Sequence, residues 1–178
     1  YKEDDETNPV NYYGYTKLLG EKYCQDFGVA SIGSVVSIAR TCVIYGAKPA
    51  SGKINFALWL IEKLEKGESV RIVTDQYITP TLNTNLAEML LEIAKKEIGG
   101  VYHLAGATRV SRFEFAKEIA RVFGLDESLI VPSKMDEINW IAKRPRDSSL
   151  DTSKAARYLN EKPYELKKAL RVLKKELF

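Results

Sequence analysis

Residues 8–21, with the sequence NPVNYYGYTKLLGE, contain a tyrosine and a lysine whose spacing could support chemistry. Tyr13 and Lys17 are four residues apart, so on a helix their side chains lie on one face, one turn from each other. A neighbouring ammonium favours the ionised form of a phenol, and such a pair can act as a general acid or base at a carbonyl group. The same spacing occurs twice more in this sequence, at Tyr158 with Lys162 and at Tyr164 with Lys168. Spacing alone therefore does not select the catalytic pair.

Alternating helices and strands are expected to position these residues. Apolar periodicity predicts helices over residues 13–27, 54–64, 85–96, 112–123 and 164–177, and strands over residues 32–40, 70–73 and 101–104. Gly28 is expected to end the first helix, and Ser111 with Glu114 forms a capping-box pattern at the start of the fourth. The strand over 32–40 is apolar on both faces, which predicts a buried strand of a parallel sheet. Repeated β-α units indicate an α/β fold with a mostly parallel sheet.

Composition excludes several classes of protein. Of the 178 residues, 27 are Lys or Arg and 24 are Asp or Glu, and the basic residues are interleaved with acidic ones, so a nucleic-acid partner is not expected. Two cysteines, Cys24 and Cys42, lie in apolar patterns without metal-ligand spacing, which predicts two small buried side chains, no metal site and a reduced, cytoplasmic protein. No apolar run reaches the roughly 18 residues of a membrane helix, so no membrane partner is expected.

Five segments of the sequence, taken in order, resemble one enzyme family. They are residues 8–21 (NPxNxYGxTKxxGE), 40–46 (RT followed by IYG), 75–81 (DQY followed by PT), 102–114 (YHLAG followed by SRFE) and 144–151 (RPxDSSLD). Together they resemble the dTDP-4-dehydrorhamnose reductases, which are extended short-chain dehydrogenase/reductases. The resemblance covers essentially the whole chain and is far more specific than the spacing of one Tyr-Lys pair.

The resemblance implies a reaction, a cofactor and roles for particular residues. The expected reaction is reduction by NADPH or NADH of the 4-keto group of a nucleotide-linked deoxysugar, dTDP-4-dehydro-L-rhamnose, to dTDP-L-rhamnose. By position in the motif, Tyr13 would protonate the keto oxygen, and Lys17 would assist it and bind the nicotinamide ribose. Arg40 and Thr41 are the other residues expected to bind the cofactor. Tyr12 and Tyr15 are expected to serve packing or the rim of the substrate site.

Four further residues are expected to bind substrate: Val43, Tyr45, Trp140 and Arg144. Val43 stands where bacterial reductases usually carry Trp, and Ile78 stands where glycine is common, so the sugar pocket is expected to differ. Trp140 could supply an aromatic wall from the C-terminal loop, or could be a half-buried packing residue. Arg144, next to Pro145, could pair with a nucleotide diphosphate or form a surface ion pair.

The sequence also departs from the family at its beginning. No two of the eleven glycines are two or three residues apart, so no glycine-rich phosphate loop can be written. We therefore expect one unit, residues 1–178, that forms the C-terminal part of a Rossmann-type doubly wound parallel sheet with a small α/β substrate-binding region. Residues 1–50 and 70–105 would form sheet, and 106–178 would form the substrate-binding region and the C-terminal helices. Alone, the chain is expected to bind dinucleotide poorly and to be inactive.

Three functions remain open from the sequence. Beside a reductase, the motifs are compatible with a non-catalytic regulatory subunit resembling that of methionine adenosyltransferase, or with a nucleotide-sugar epimerase or dehydratase that retains NAD. The sequence does not give the oligomeric state, and it is compatible with a homodimer. His103, the single histidine, stands at a predicted strand end without a metal or nucleophile partner and is expected to be structural.

Overall fold

The chain forms alternating strands and helices, as its apolar periodicity predicts. The computed structural model describes residues 1–30, 33–49 and 52–178. The helices are α1 (Tyr12–Ala30), α2 (Phe56–Glu65), α3 (Asn83–Lys95), α4 (Arg112–Phe123), α5 (Ser153–Tyr158) and α6 (Leu166–Leu177). The strands are β1 (Ser37–Arg40), β2 (Ile44–Tyr45), β3 (Val70–Val73), β4 (Tyr77–Ile78), β5 (Thr81–Leu82), β6 (Gly100–His103), β7 (Val110–Ser111) and β8 (Ile130–Ser133).

The strands pair mainly in parallel. β1 pairs with β6, β2 with β5 and β3 with β8 in parallel, whereas β4 and β7 are antiparallel. In the β1–β6 pair, Ser37 is opposite Gly100 and Arg40 is opposite His103. Each parallel pair joins strands that are distant in the sequence, which requires crossover connections. The α/β class with parallel pairing is therefore confirmed.

Buried apolar side chains form two clusters. The larger is built from α2, α4, α6, β3 and β8 and includes Phe115, Leu60 and Leu170, each fully or almost fully buried. The smaller is built from α3, β6 and α5 around Met89 and Leu104. Strand β3 belongs to the larger cluster, since it pairs with β8 and contacts α4. The division into sheet-forming residues 1–50 and 70–105 and a substrate-binding region 106–178 stays a prediction.

Three expectations about the N-terminal region are corrected. Strand β1 covers only Ser37–Arg40 of the predicted 32–40. Its residues alternate between exposed and half-buried and are not buried on both faces, because within the part of the chain described β1 has one strand neighbour, β6. Position 32 lies outside the described residues. Helix α1 continues past Gly28, where a Cβ would approach Val36 Cγ2 to 2.8 Å, so this glycine allows close packing instead of ending the helix.

One face of α1 is exposed. Tyr23 and Phe27, whose spacing is helical, are 70% and 62% exposed. Cys24 is exposed as well, so the prediction that it is buried is wrong. Cys42 is buried, as predicted. The predicted apolar stripe is therefore present on the helix, but it faces away from the described core. Among the described residues, no helix has the length and apolar character needed to cross a membrane.

Candidate active site

An open cleft of about 520 Å³ collects most of the residues that the sequence singled out. Helix α1 contributes Tyr13 and Lys17 to its wall, because residues four apart on a helix share a face. The end of β1 and the residues after it contribute the other three expected residues on that side, Arg40, Thr41 and Val43, and the C-terminal loop contributes Arg144. These three segments therefore meet at one cleft, with a tyrosine and several cations in its wall.

Tyr13 and Lys17 have the geometry expected of an accessible acid and its assisting cation. The Lys17 Nζ atom lies 5.5 Å from the centre of the Tyr13 ring. Tyr13 is 71% exposed, so its hydroxyl can be reached from the cleft. Tyr12 and Tyr15, which flank it, do not line the cleft, and their rings contact each other with centroids 6.3 Å apart. Of the three tyrosines in this turn, only Tyr13 lines the cleft.

Asn11 fixes the start of this helix and links it to the opposite wall. Its Oδ1 accepts a hydrogen bond from Gly14 N at 2.8 Å, which satisfies one of the free N–H groups of the first turn. Its Nδ2 donates to Lys143 O at 2.8 Å, in the loop that carries Arg144. A Cβ at Gly14 would approach Pro9 Cβ to 3.2 Å, so glycine allows the preceding turn to pack closely on the helix. The NPxNxYG motif therefore has a structural explanation in this chain.

Arg40 is held by an ion pair on the cleft wall. Its Nη2 and Nε atoms donate to Glu21 Oε2 and Oε1 at 2.7 and 2.9 Å, and its Nη1 donates to Glu3 O at 3.2 Å. The hydrogen bond to Glu21 is the main reason why the pKa of Arg40 is raised above its usual value. This bidentate pair joins α1 to β1 and so fixes Tyr13 and Lys17 relative to the sheet. Most of the donors of Arg40 are occupied, and Glu21 balances its charge.

The Arg144 loop is fixed on both sides of the arginine. Lys143 O accepts the bond from Asn11, and Pro145 O accepts one from Gln76 Nε2 at 3.2 Å. The Arg144 guanidinium itself lies 5.1 Å from the centre of the Trp140 ring, and Trp140 Nε1 donates to Met135 O at 3.0 Å. Trp140 does not line the cleft. In the structure, Trp140 packs on the Arg144 guanidinium and is itself held by its hydrogen bond to Met135 O.

Two expected substrate residues are placed differently from each other. Val43 lines the cleft with a φ of 43°, a left-handed conformation that is strained for a β-branched residue, and its carbonyl accepts from Thr81 N at 3.1 Å. Tyr45 is 1% exposed in the larger apolar cluster, 5.3 Å from the Phe115 ring. Its burial raises its pKa and keeps its hydroxyl away from the cleft. The structure therefore does not bring Tyr45 into the cleft, because the alternation of β2 turns it towards the core.

Comparison with known proteins identifies the family. Residues 1–177 match the family model described as RmlD substrate binding domain. The chain belongs to this family. It is 34% identical over 154 residues to a probable low-salt glycan biosynthesis reductase, Agl14, of Haloferax volcanii, a match that covers 86% of this chain and 50% of that protein. The resemblance to the dTDP-4-dehydrorhamnose reductases is thereby confirmed.

Solved structures of RmlD-type proteins share the fold. A dTDP-4-dehydrorhamnose reductase of Clostridium acetobutylicum is 28% identical with a TM-score of 0.85, and the match covers 98% of this chain and 59% of that one. The dTDP-4-dehydrorhamnose reductase of Bacillus anthracis, solved in complex with NADP, is 25% identical with a TM-score of 0.85, covering 99% and 59%. The chain thus spans about half the length of the curated relatives that it matches.

Sequence reasoning missed two residues of the cleft of this RmlD domain, Gln76 and Arg112. Both line it, and Arg112 Nε donates to Gln76 Oε1 at 2.5 Å. Arg112 is the first residue of α4. The sequence pattern at this position is a capping box, which predicts where the helix begins but does not indicate that the Arg112 side chain faces a cleft. His103 also lines the cleft but is fully buried, with Nδ1 3.1 Å from Asp151 O, and burial lowers its pKa. A structural role for His103 fits this placement.

The two other Tyr-Lys pairs lie away from the cleft. The Lys168 Nζ atom is 3.5 Å from the Tyr164 ring, and Tyr158 is 59% exposed on α5. Neither pair contributes to the wall of the cleft. In the described part of the RmlD domain, moreover, His, Cys, Asp and Glu side chains form no group of three that could hold a metal ion. The position in the fold, rather than the spacing, distinguishes Tyr13 and Lys17.

Proposed function

We propose that this chain is the substrate-binding, C-terminal part of an NAD(P)H-dependent reductase that acts on a nucleotide-linked 4-keto deoxysugar, with dTDP-4-dehydro-L-rhamnose as the expected substrate. The observation that carries the proposal is the placement of Tyr13 and Lys17 in one cleft with Arg144. Family membership and the reductases among its relatives support the same reaction class.

The residues of the cleft fit a nicotinamide nucleotide on one side. Lys17 presents an ammonium, with three donors, one helical turn from Tyr13, which suits the hydroxyls of a ribose. Arg40, held by Glu21, and Thr41 line the same wall. A reduced nicotinamide bound there would supply the hydride. The sequence contains no glycine-rich phosphate loop, so most of the dinucleotide would be bound by residues outside this chain.

Tyr13 would then supply the proton. Its exposed hydroxyl can donate a hydrogen bond to the keto oxygen and transfer its proton as negative charge develops there. The ammonium of Lys17 stabilises the phenolate that remains, because an opposite charge within a few ångströms favours the ionised form. Arg144 on the facing loop would bind the anionic end of the substrate and so orient the sugar.

The first test uses a polypeptide extended at the N-terminus to the length of the curated relatives. NADPH oxidation is followed with dTDP-4-dehydro-L-rhamnose for the wild type, Tyr13→Phe and Tyr23→Phe. Loss of a general acid lowers the rate about 100-fold or more, so Tyr13→Phe should lose that much kcat. Tyr23→Phe removes a hydroxyl from the same helix outside the cleft and should retain the wild-type kcat.

Two results would contradict the proposal. Wild-type turnover that survives in Tyr13→Phe would refute the role of Tyr13. A wild type that binds NADPH but shows no turnover would refute the reductase for this substrate and favour a regulatory subunit. Tight binding of NADPH to residues 1–178 alone, measured by calorimetric titration, would refute the expectation that this chain binds dinucleotide poorly by itself.

A further inference from the structure

A groove runs along the seam between α4 and α6, outside the cleft of the candidate active site. It consists of two adjoining open depressions of about 480 and 860 Å³, which share Glu118, Arg121 and Lys167 in their walls. None of the residues that line this groove lines the cleft. The groove extends from Leu166 at the start of α6 to Lys175 in its last turn, which is roughly 18 Å for a helix of 12 residues. A ligand that fills it must therefore be elongated.

The floor of the groove is apolar. Val110, Phe113 and Leu166 line its first part, and Val122 lines its second part. Leu166 belongs to the larger apolar cluster, and the other three are half-buried and pack against it. These side chains therefore form the floor of the groove instead of projecting from the surface. A ligand with apolar side chains along one side would cover them.

The rim of the groove is positively charged. Its cations come from both helices and are Lys117, Arg121, Lys167, Arg171, Lys174 and Lys175. Its acidic residues are Glu114, Glu118 and Glu165, so the lining has an excess of three positive charges. Such a surface attracts carboxylates.

The carboxylates of the groove are engaged within the chain. Glu114 takes part in the capping box of α4. Glu118 is paired with Arg121 at 3.5 Å, and Glu165 accepts a hydrogen bond from Thr108 Oγ1. Among the described residues, no carboxylate of the groove is paired with a cation of α6.

The cations of α6 thus differ from those of α2. On α2, Lys63 and Lys66 are each paired with a glutamate. On α6, Lys167, Arg171 and Lys175 are exposed, and none of them has a hydrogen bond or an ion pair to the part of the chain that the structure describes. Acidic and basic residues alternate along the sequence, yet the fold collects unpaired cations beside one groove.

We propose that the groove between α4 and α6 docks an acidic, amphipathic helix of another polypeptide. A helix of about 12 residues matches the length of the groove, and apolar side chains three and four residues apart would lie on its floor. Carboxylates on both flanks of that face would meet the cations of the two walls. A planar membrane surface would contact the rim without reaching Phe113 and Val122 in the floor. The inference goes beyond the proposed function and does not depend on it, because the groove and the cleft share no residue.

The test uses a fluorescein-labelled peptide of about 12 residues as the probe. The peptide has leucines three and four residues apart on one helical face and glutamates on both flanks of that face. Fluorescence anisotropy measures its binding to the same N-terminally extended polypeptide. One comparison peptide has glutamines in place of the glutamates, and another has alanines in place of the leucines. Each should bind about tenfold more weakly or less, because the proposed contact needs both the charges and the apolar face.

Two double variants locate the binding. Lys167→Glu with Arg171→Glu reverses two unpaired charges of the rim and should weaken binding of the acidic peptide about tenfold or more. Lys95→Glu with Arg157→Glu is the matched control, since it makes the same change in net charge at two exposed cations outside the groove. It should change the affinity less than about twofold. All four side chains are exposed, so both variants should keep the circular dichroism spectrum and the thermal midpoint of the wild type.

Three results would overturn the proposal. The first is an acidic peptide that does not bind the wild type, and the second is an equal loss of affinity in the two double variants, which would indicate attraction by net charge alone. The third is binding to phosphatidylglycerol vesicles or to a single-stranded oligonucleotide that Lys167→Glu with Arg171→Glu abolishes, while the peptide does not bind. That result would assign the groove to a membrane surface or to nucleic acid. A loss confined to the groove variant, together with dependence on the leucines, would uphold the proposal whether or not the protein shows reductase turnover.

Discussion

Glu92 offers a prediction in which the size and the pH dependence of an effect both follow from the structure. It lies near the end of α3 with 9% of its surface exposed. Its carboxylate accepts hydrogen bonds from Asn160 N at 2.8 Å and from Glu161 N at 2.7 Å, and it is paired with Lys96. Burial alone would raise its pKa, but these three donors outweigh burial and lower the pKa from 4.5 to about 2. The ionised carboxylate therefore ties α3 to the turn after α5.

The magnitude follows from linkage between protonation and folding. A carboxyl whose pKa is lowered by folding stabilises the folded state above its unfolded pKa, and this stabilisation is lost as the pH falls through the folded pKa. A difference of about two units corresponds to roughly 3 kcal/mol, which we reduce to about 2 kcal/mol because Lys96 is largely in solvent. Glu92→Gln leaves one of the two backbone N–H groups without an acceptor, which agrees with a loss of about 1–3 kcal/mol.

The assay is urea unfolding of wild type and Glu92→Gln at pH 7, 5 and 3, followed by circular dichroism. With a slope of about 2 kcal/mol per molar urea, the midpoint of the variant should be lower by about 1 M at pH 7. The difference should shrink below about pH 4.5 and approach zero near pH 2. Glu62→Gln is the control, since Glu62 pairs only with exposed Lys66 in the same i,i+4 arrangement, and it should leave the midpoint unchanged. An equal deficit of Glu92→Gln at pH 7 and pH 3 would refute the reasoning, as would no deficit at pH 7.

Two further predictions concern packing and the connections of the cleft. Asn11→Ala removes the cap of α1 and the hydrogen bond to the Arg144 loop. The free energy of unfolding, measured by urea titration, should therefore fall by about 1 kcal/mol, and binding of dTDP, measured by calorimetry, should weaken. If neither quantity changes, the prediction is wrong. Gly106→Ala would place a Cβ 2.1 Å from Pro80 O and should lower the free energy of unfolding by about 1–3 kcal/mol or more. Gly20→Ala, in an open stretch of α1, should instead raise the thermal midpoint, and equal effects of the two glycine changes would refute the packing argument.

The elements that the sequence predicted well are those with several turns of periodic pattern. The helix after Ser111 has the predicted capping box, with Ser111 Oγ accepting from Glu114 N at 3.1 Å and Glu114 Oε2 accepting from Ser111 N at 2.7 Å. Local spacing determines such a helix, so the sequence contains the necessary information. The two-residue strands β2, β4, β5 and β7 were missed because two residues cannot show alternation.

Burial was harder to predict than secondary structure. Tyr23 and Phe27 have the spacing of a core stripe, yet both are exposed, since periodicity identifies an apolar face without stating what covers it. Tyr45 lies within a motif of the family and was expected at the substrate, but in a strand the neighbouring positions point to opposite sides. Its motif membership is explained by packing on Phe115. Val43 precedes β2 and has a left-handed conformation, so it does not follow the alternation of the strand and lines the cleft.

The arrangement of the cleft explains why its motifs depend on one another. Two side-chain amides, from Asn11 and Gln76, donate to the carbonyls on either side of Arg144. The oxygen of the Asn11 amide accepts from the first turn of α1, and the oxygen of the Gln76 amide accepts from the Arg112 side chain at the start of α4. Tyr13 is therefore positioned relative to Arg144 by one asparagine, and Arg112 is positioned relative to Arg144 by one glutamine. The long-range connections join residues that are 36, 69 and 132 positions apart. A change in Gln76 should therefore alter binding of the anionic end of the substrate without touching the proton donor, whereas a change in Asn11 should affect both.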